Sequence, residues 1–233
     1  MTLENLVLVA AHAVPHRFDA ALFTDEGWYL KDFQAGEGRY YVEHVREGVR
    51  RAAADPSALL IFAGGQTDAR AGPRSEAQGY WLIAGCFDWE GHPEVRTRAT
   101  TEEFSLDSFL NLLYGICRFR EFTGRYPRHM TVVGWAFKAA RFDFHRETLR
   151  FPASRYRYVG VNDPPAVDTA RKFEALRLEE FRRDPYGGSP ELKRKREARN
   201  PFQRQHGYAA SCPELRELLK HQGPEMFPGP LPW

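Results

Sequence analysis

The strongest constraint on this chain is a rhythm in which short apolar runs alternate with stretches of helical period. The runs are "NLVLVAA" from Asn5 to Ala11, "ALLIFA" from Ala58 to Ala63, and "HMTVVGW" from His129 to Trp135. Each is too short for a stable helix and carries β-branched residues, so each reads as a buried strand. Between them, Gly38 to Ala54 places Tyr41, Val45, Val49 and Ala52 or Ala53 on one face of a helix. Asp55-Pro56 stops it, because the residue before proline avoids the helical region. Ser75 to Gly85 reads as a second helix with Ser75 as its N-cap. Ser105 to Thr123 shows a stripe of Leu106, Phe109, Leu110, Leu113, Ile116 and Cys117, with Ser105 at the cap and Gly124 as terminator. Another helix begins across Lys138 to Arg146. Val95 to Ala99 reads as a short strand, and "RYRYVGV" from Arg155 to Val161 alternates as an edge strand does. Strand and helix in steady alternation imply βαβ crossovers and an α/β fold on a mainly parallel sheet.

Residues 1–163 carry that alternation, and residues 164–233 form a C-terminal helical and irregular extension packed on the domain. The change comes at Asn162-Asp163-Pro164-Pro165, after which Ala166 to Arg183 and Pro213 to Lys220 read as helices separated by turns. The segment "KRKREARNPFQRQ" from Lys193 to Gln205 is strongly basic and reads as a solvated helix face or as an anion-binding arm. A net charge of +2 supplies no global field for nucleic acid, which is not an expected partner. Cys86, Cys117 and Cys212 lie far apart without metal or disulfide spacing, so free thiols in a reducing compartment are expected. The apolar start has no basic n-region, and no run approaches a membrane span. The expectation is a cytoplasmic protein with no membrane contact.

In parallel α/β sheets ligands sit beyond the carboxyl ends of the strands. The residues that follow the predicted strands are therefore the candidates. Gly64-Gly65 closes one strand and lets a backbone turn tightly or a ligand approach main-chain N–H groups. The pair matches neither nucleotide fingerprint, GxGxxG or GxxxxGK[ST]. Arg74 has the fork for a phosphate or carboxylate and equally suits a surface ion pair. Ser75 and Glu76 fit a helix start, where Glu76 either complements the dipole, bonds a polyol or acts as a base. Glu103 lies near the same edge and is a candidate acid or base. Asn111 interrupts an apolar stripe and must find partners or a ligand. Lys138 and Arg141 stand at a helix start, where cations oppose the dipole unless an anion sits there. His12 and His16 follow the first strand as candidate bases or phosphate donors, and no third ligand makes them a metal site. Neither a GxSxG elbow nor a metal set is present.

Together Gly64-Gly65, Ser75-Glu76-Ala77, the stretch Glu103 through Ser108 to Asn111, and Phe137-Lys138-Ala139-Ala140-Arg141 resemble the YdcF-like (SanA/ElyC/YdcF) family, domain of unknown function 218. The resemblance spans roughly residues 5–162, and the later part is similar to the extension of fungal members. It departs from the family pattern at Lys138, where the family has His, and at Ser108, where it has Thr. It implies a Rossmann-like three-layer fold with a pocket at these motifs. It implies no settled cofactor or reaction, and the cofactor it points toward is S-adenosylmethionine. The leading expectation is an intracellular enzyme, a transferase or hydrolase, acting on an anionic phosphorylated or nucleotide-like small molecule. Gly64, Gly65, Arg74, Ser75, Asn111, Lys138 and Arg141 would bind it, and His12, Glu76 and Glu103 would handle protons. The alternative is a non-catalytic module that binds a nucleotide or S-adenosylmethionine. Substrate, reaction and oligomeric state stay open.

Overall fold

The protein is described by a computed structural model over residues 2–233. In chain order the elements are β1 (Asn5–Ala10), β2 (Val14–Pro15), β3 (Trp28–Tyr29), α1 (Gly38–Ala54), β4 (Ala58–Ala63), α2 (Glu76–Cys86), β5 (Ala99–Glu102) and α3 (Ser108–Thr123). They continue with β6 (His129–Gly134), α4 (Ala139–Thr148), β7 (Tyr156–Gly160), α5 (Val167–Arg183), α6 (Pro190–Ala198), α7 (Tyr208–Ser211) and α8 (Arg216–Lys220). Five strands form one parallel sheet in the order β5-β4-β1-β6-β7, and β2 pairs antiparallel with β3 as a separate ribbon.

The side-chain period of two on each strand divides the core into two layers. Leu6, Leu8 and Ala10 of β1 face α3 and α4, while Val7 and Val9 face α1 and α2. Leu8 and Val9 are fully buried, and each contributes about 1.5–3 kcal/mol of burial. The result is a Rossmann-like α/β fold of three layers. Residues of the C-terminal segment join the α3–α4 layer, among them Phe181, Tyr186, Leu192, Tyr208 and Cys212. Among the described residues no helix is long and apolar enough to cross a membrane.

Two local expectations shift. The stretch from Val95 is helical in its first part: Pro93–Arg98 winds as a 3-10 run, and the strand begins at Ala99. Proline at a first helical position favours that winding, and Arg98 Nη1 holds the run by donating to the Ala58 carbonyl at 2.9 Å. The cap of α3 is Asp107, whose carboxylate accepts from the Leu110 amide at 2.9 Å, and not Ser105. Ser105 is buried two residues earlier, where its carbonyl accepts the Gly65 N–H. The cysteines carry free thiols, with Cys117 and Cys212 buried side by side and the Cys212 thiol donating to the Cys117 carbonyl at 3.5 Å.

The strand order reverses between β1 and β6, which lie next to each other but lead to opposite sides of the sheet. Loops leaving two such strands diverge and open a crevice at their carboxyl ends. The segments after β1 and β6 begin at Ala11 and Trp135, and it is there that a site is expected.

Candidate functional site

A cavity of about 600 Å³ occupies this crevice. Its floor is supplied by His12 after β1, Glu76 at the start of α2, Ser108 and Asn111 in the first turn of α3, and Lys138 and Arg141 after β6. Its walls come from elsewhere. Lys31 and Glu37 lie between β3 and α1, Glu174 lies on α5, and Arg199 follows α6. Phe33 and Phe173 stand at the mouth, 73% and 65% exposed.

The charges in the wall are unevenly paired. Arg141 is held on two sides: its Nε and Nη2 donate to Glu174 at 2.7 and 2.9 Å, and its Nη1 donates to Ser108 Oγ at 2.9 Å. Lys138, by contrast, has no carboxylate within 4.0 Å among the described residues, and its Nζ lies 3.4 Å from His12 Nδ1. Burial and the neighbouring Arg141 guanidinium pull the Lys138 amine down to about 8. Arg199 also lacks an acidic partner, donating only to the Leu106 carbonyl at 2.9 Å, and burial lowers its pKa. Lys31, exposed at the rim, is likewise unpaired among the described residues.

On the acidic side, burial raises the Glu76 carboxyl above its usual range, against the hydrogen bond it accepts from Thr67. Burial raises Glu37 too, against the Tyr41 hydroxyl that donates to it. Burial, then the charge of Lys138, holds the His12 imidazole well below its ordinary pKa, so it is neutral at pH 7. With Nδ1 facing the lysine ammonium, Nε2 carries the ring proton. An amine, a neutral imidazole and a carboxyl of raised pKa around one cavity can bind an anion and move protons at it.

The residues singled out in the sequence divide into two groups. His12, Glu76, Asn111, Lys138 and Arg141 line the cavity, whereas Gly64, Gly65, Arg74, Ser75 and Glu103 do not. The glycine N–H groups, expected to meet a ligand, are already used. Gly64 donates to the Glu102 carbonyl at 3.0 Å and Gly65 to the Ser105 carbonyl at 2.9 Å. The first amides of α2 are also occupied, Glu76 N–H on Gly65, Ala77 N–H on Gly64 and Gln78 N–H on Ser75 Oγ. An N-terminus satisfied in this way offers no anion site. Glycine is needed at position 64 for closeness instead: a Cβ there would lie 2.6 Å from Glu76 Oε2 and 2.8 Å from Ala11 Cβ. Arg74 turns away, donating to the Ala71 carbonyl and lying over the Tyr29 ring at 5.7 Å. Glu103 accepts from Thr101 Oγ1 at 2.8 Å and faces Arg204 at 3.6 Å. His16 packs on Tyr29, with ring centroids 4.6 Å apart.

Lys31, Glu37 and Glu174 have no motif that marks them. Arg199 did carry a signal, the basic segment from Lys193, but that segment is neither a free arm nor a uniformly solvated face. Lys195 bonds Glu180 at 2.8 Å and Arg196 bonds Asp107 at 2.7 Å, so α6 is tied down and Arg199 is delivered to the cavity.

Fold and site define a Rossmann-like α/β protein with a densely charged cavity at the strand-order switch, in which Lys31, Lys138 and Arg199 stand outside ion-pair distance of a carboxylate among the described residues. The chain belongs to the family of Uncharacterized protein YOR238W of Saccharomyces cerevisiae: the two are 30% identical over 262 aligned positions, covering 88% of this chain and 86% of the yeast protein. No family model matches the chain, and no solved structure does.

Proposed function

We propose that this protein is an enzyme whose substrate is an anionic small molecule, phosphorylated or nucleotide-like, bound at the carboxyl edge of the sheet. The observation that carries this reading is the convergence of Lys138, Arg199 and Lys31, none of them paired with a carboxylate among the described residues, on one cavity at the switch point. The carboxylates of the lining, Glu37, Glu76 and Glu174 among them, act on these cations only from beyond ion-pair distance, so a bound anion can make direct contacts worth about 1.5–3 kcal/mol per charge-assisted hydrogen bond. Arg141, held rigid by Glu174, presents its remaining N–H groups without losing side-chain entropy. Glu76 and Glu37 suit the hydroxyls of a sugar, and neutral His12, through the Nδ1 that faces Lys138, takes the proton that amine gives up. The resemblance to the YdcF-like family supports the same placement through Glu76, Asn111, Lys138 and Arg141. S-adenosylmethionine, with a sulfonium cation beside its carboxylate, fits less well among unpaired cations than a phosphate does.

Thermal melts of the purified protein with nucleoside monophosphates, sugar phosphates and their unphosphorylated parents test the reading. Stabilisation by members of the phosphorylated set alone is expected. Melting points unmoved by every phosphate would remove its support.

A further inference from the structure

His145, on α4, is fully buried among Phe109, Phe142 and Phe181. Its Nε2 lies 2.8 Å from Ser108 Oγ, and its Nδ1 has no partner among the described residues. A histidine sealed in an aromatic cage with one nitrogen unsatisfied is costly, and the contact it makes leads to the cavity. Ser108 is the first residue of α3, is 7% exposed and lines the cavity. Its Oγ also accepts from Arg141 Nη1 at 2.9 Å, which leaves the hydroxyl proton free to go to His145.

A second observation points to a ligand at the same place. Asn111 lies three residues further along α3, on the same face. It is 8% exposed and lines the cavity, and its carboxamide makes no hydrogen bond among the described residues. A buried amide without a protein partner, one turn from a serine hydroxyl, is placed to donate to a group held at that serine.

We infer that Ser108 is a nucleophile, that His145 is its base, and that Arg141 and Asn111 hold the oxygens of the group transferred to it. The inference rests on the anion-binding reading for its substrate class, a phosphoryl ester. The Ser108 Oγ–P bond forms as the P–O bond to the leaving group breaks. The serine proton passes to His145 Nε2 and on to the leaving oxygen. Water then attacks phosphorus, gives its proton to His145, and releases Ser108 with that proton restored. Burial, then the charge of Arg141, keeps His145 neutral, so the base is ready across the neutral range.

The test is covalent trapping with an alkyl fluorophosphonate, read by intact mass and peptide mapping. Ser108 attacks phosphorus, fluoride leaves, and the proton goes to His145. The expected result is one adduct, on the peptide holding Ser108, absent in Ser108→Ala and formed at least tenfold more slowly in His145→Gln. Asn111→Asp, which leaves the Ser108–His145 contact intact, also slows it. Thermal shifts with phosphates are measured on every variant, so a variant that fails to fold is recognised, and Ser108→Cys then stands in, its thiolate taking the adduct. An unlabelled wild type that is still stabilised by phosphates overturns the nucleophile and leaves the binding reading standing. Labelling without any phosphate stabilisation keeps the nucleophile and sinks the binding reading. Labelling equally fast in His145→Gln removes the base.

Discussion

Lys138 Nζ and His12 Nδ1 lie 3.4 Å apart across the carboxyl ends of β6 and β1, the two strands between which the sheet reverses its order. The contact places an amine whose pKa is lowered by burial and by Arg141 against an imidazole whose pKa is lowered by burial and by that amine, in the place where the topology opens a crevice. Their arrangement gives the pH dependence of the site a definite sign.

The Lys138 amine titrates at about 8 when folded and at 10.5 ordinarily. Between those values the unfolded chain binds the extra proton, so this residue adds stability as pH rises through that window. Anion binding runs the other way, because it needs the ammonium. Melts at rising alkaline pH are expected to show a shrinking phosphate-induced shift, and Lys138→Arg, which cannot lose its charge, keeps the shift. A shift that is flat across the window in wild type contradicts this assignment.

His12, His44 and His145 are each held below 6.5 by burial, His44 to about 3. Their stability contribution is present above 6.5 and is lost as pH falls, since the unfolded chain then takes protons that the folded one refuses. Each histidine contributes a slope of up to about 1.4 kcal/mol per pH unit. Glu76 and Glu102, raised by burial, oppose the loss in the acid range. Urea midpoints for wild type and His44→Gln are expected to converge on acidification, because the variant lacks one share of the slope.

Removing Glu174 would strip the Arg141 fork of its counter-charge in a site where both side chains are only 10% exposed. Glu174→Ala is expected to cost roughly 3 kcal/mol by the usual penalty for half of a buried ion pair. Added phosphate should recover part of that loss by supplying the missing anion. Chemical denaturation with and without phosphate reads both effects.

Gly64→Ala tests the close approach of the β4 end to α2. The added methyl meets Glu76 Oε2 at 2.6 Å and must push either Glu76 or Ala11 aside. A loss of about 1–3 kcal/mol is expected from overpacking, together with weaker binding of a sugar phosphate, whose hydroxyls the displaced Glu76 no longer meets. Retained stability and binding would show that Gly64 serves no packing need.

The local rules read well where hydrophobic period and chain stops agree. Gly38–Ala54, Ala58–Ala63 and the Ser75 cap of α2 stand where periodicity and capping chemistry put them. They failed where two polar residues competed for one cap: Ser105 and Asp107 both suit α3, and Ser105 is drawn into the core by the Gly65 amide. The candidate site was half legible. Residues just after strands were recognisable because topology alone sends them to one edge, as with His12, Glu76, Lys138 and Arg141. Glu174 and Arg199 were not, because they come from α5 and the end of α6, and no local pattern records how that segment folds back over the sheet. Arg74 and Glu103 looked equally suitable by position and were turned aside by Tyr29 and Arg204, contacts set by tertiary packing.

The central claim is that the unpaired cations of this cavity exist to hold a phosphate. Isothermal titration with a nucleoside monophosphate and its parent nucleoside, on wild type and on Lys138→Met, tests it most directly. The account predicts saturable binding of the monophosphate alone, weakened about tenfold or more by the substitution through loss of one charge-assisted contact. Equal binding of nucleoside and monophosphate, or an affinity for the monophosphate unchanged in Lys138→Met, would contradict it.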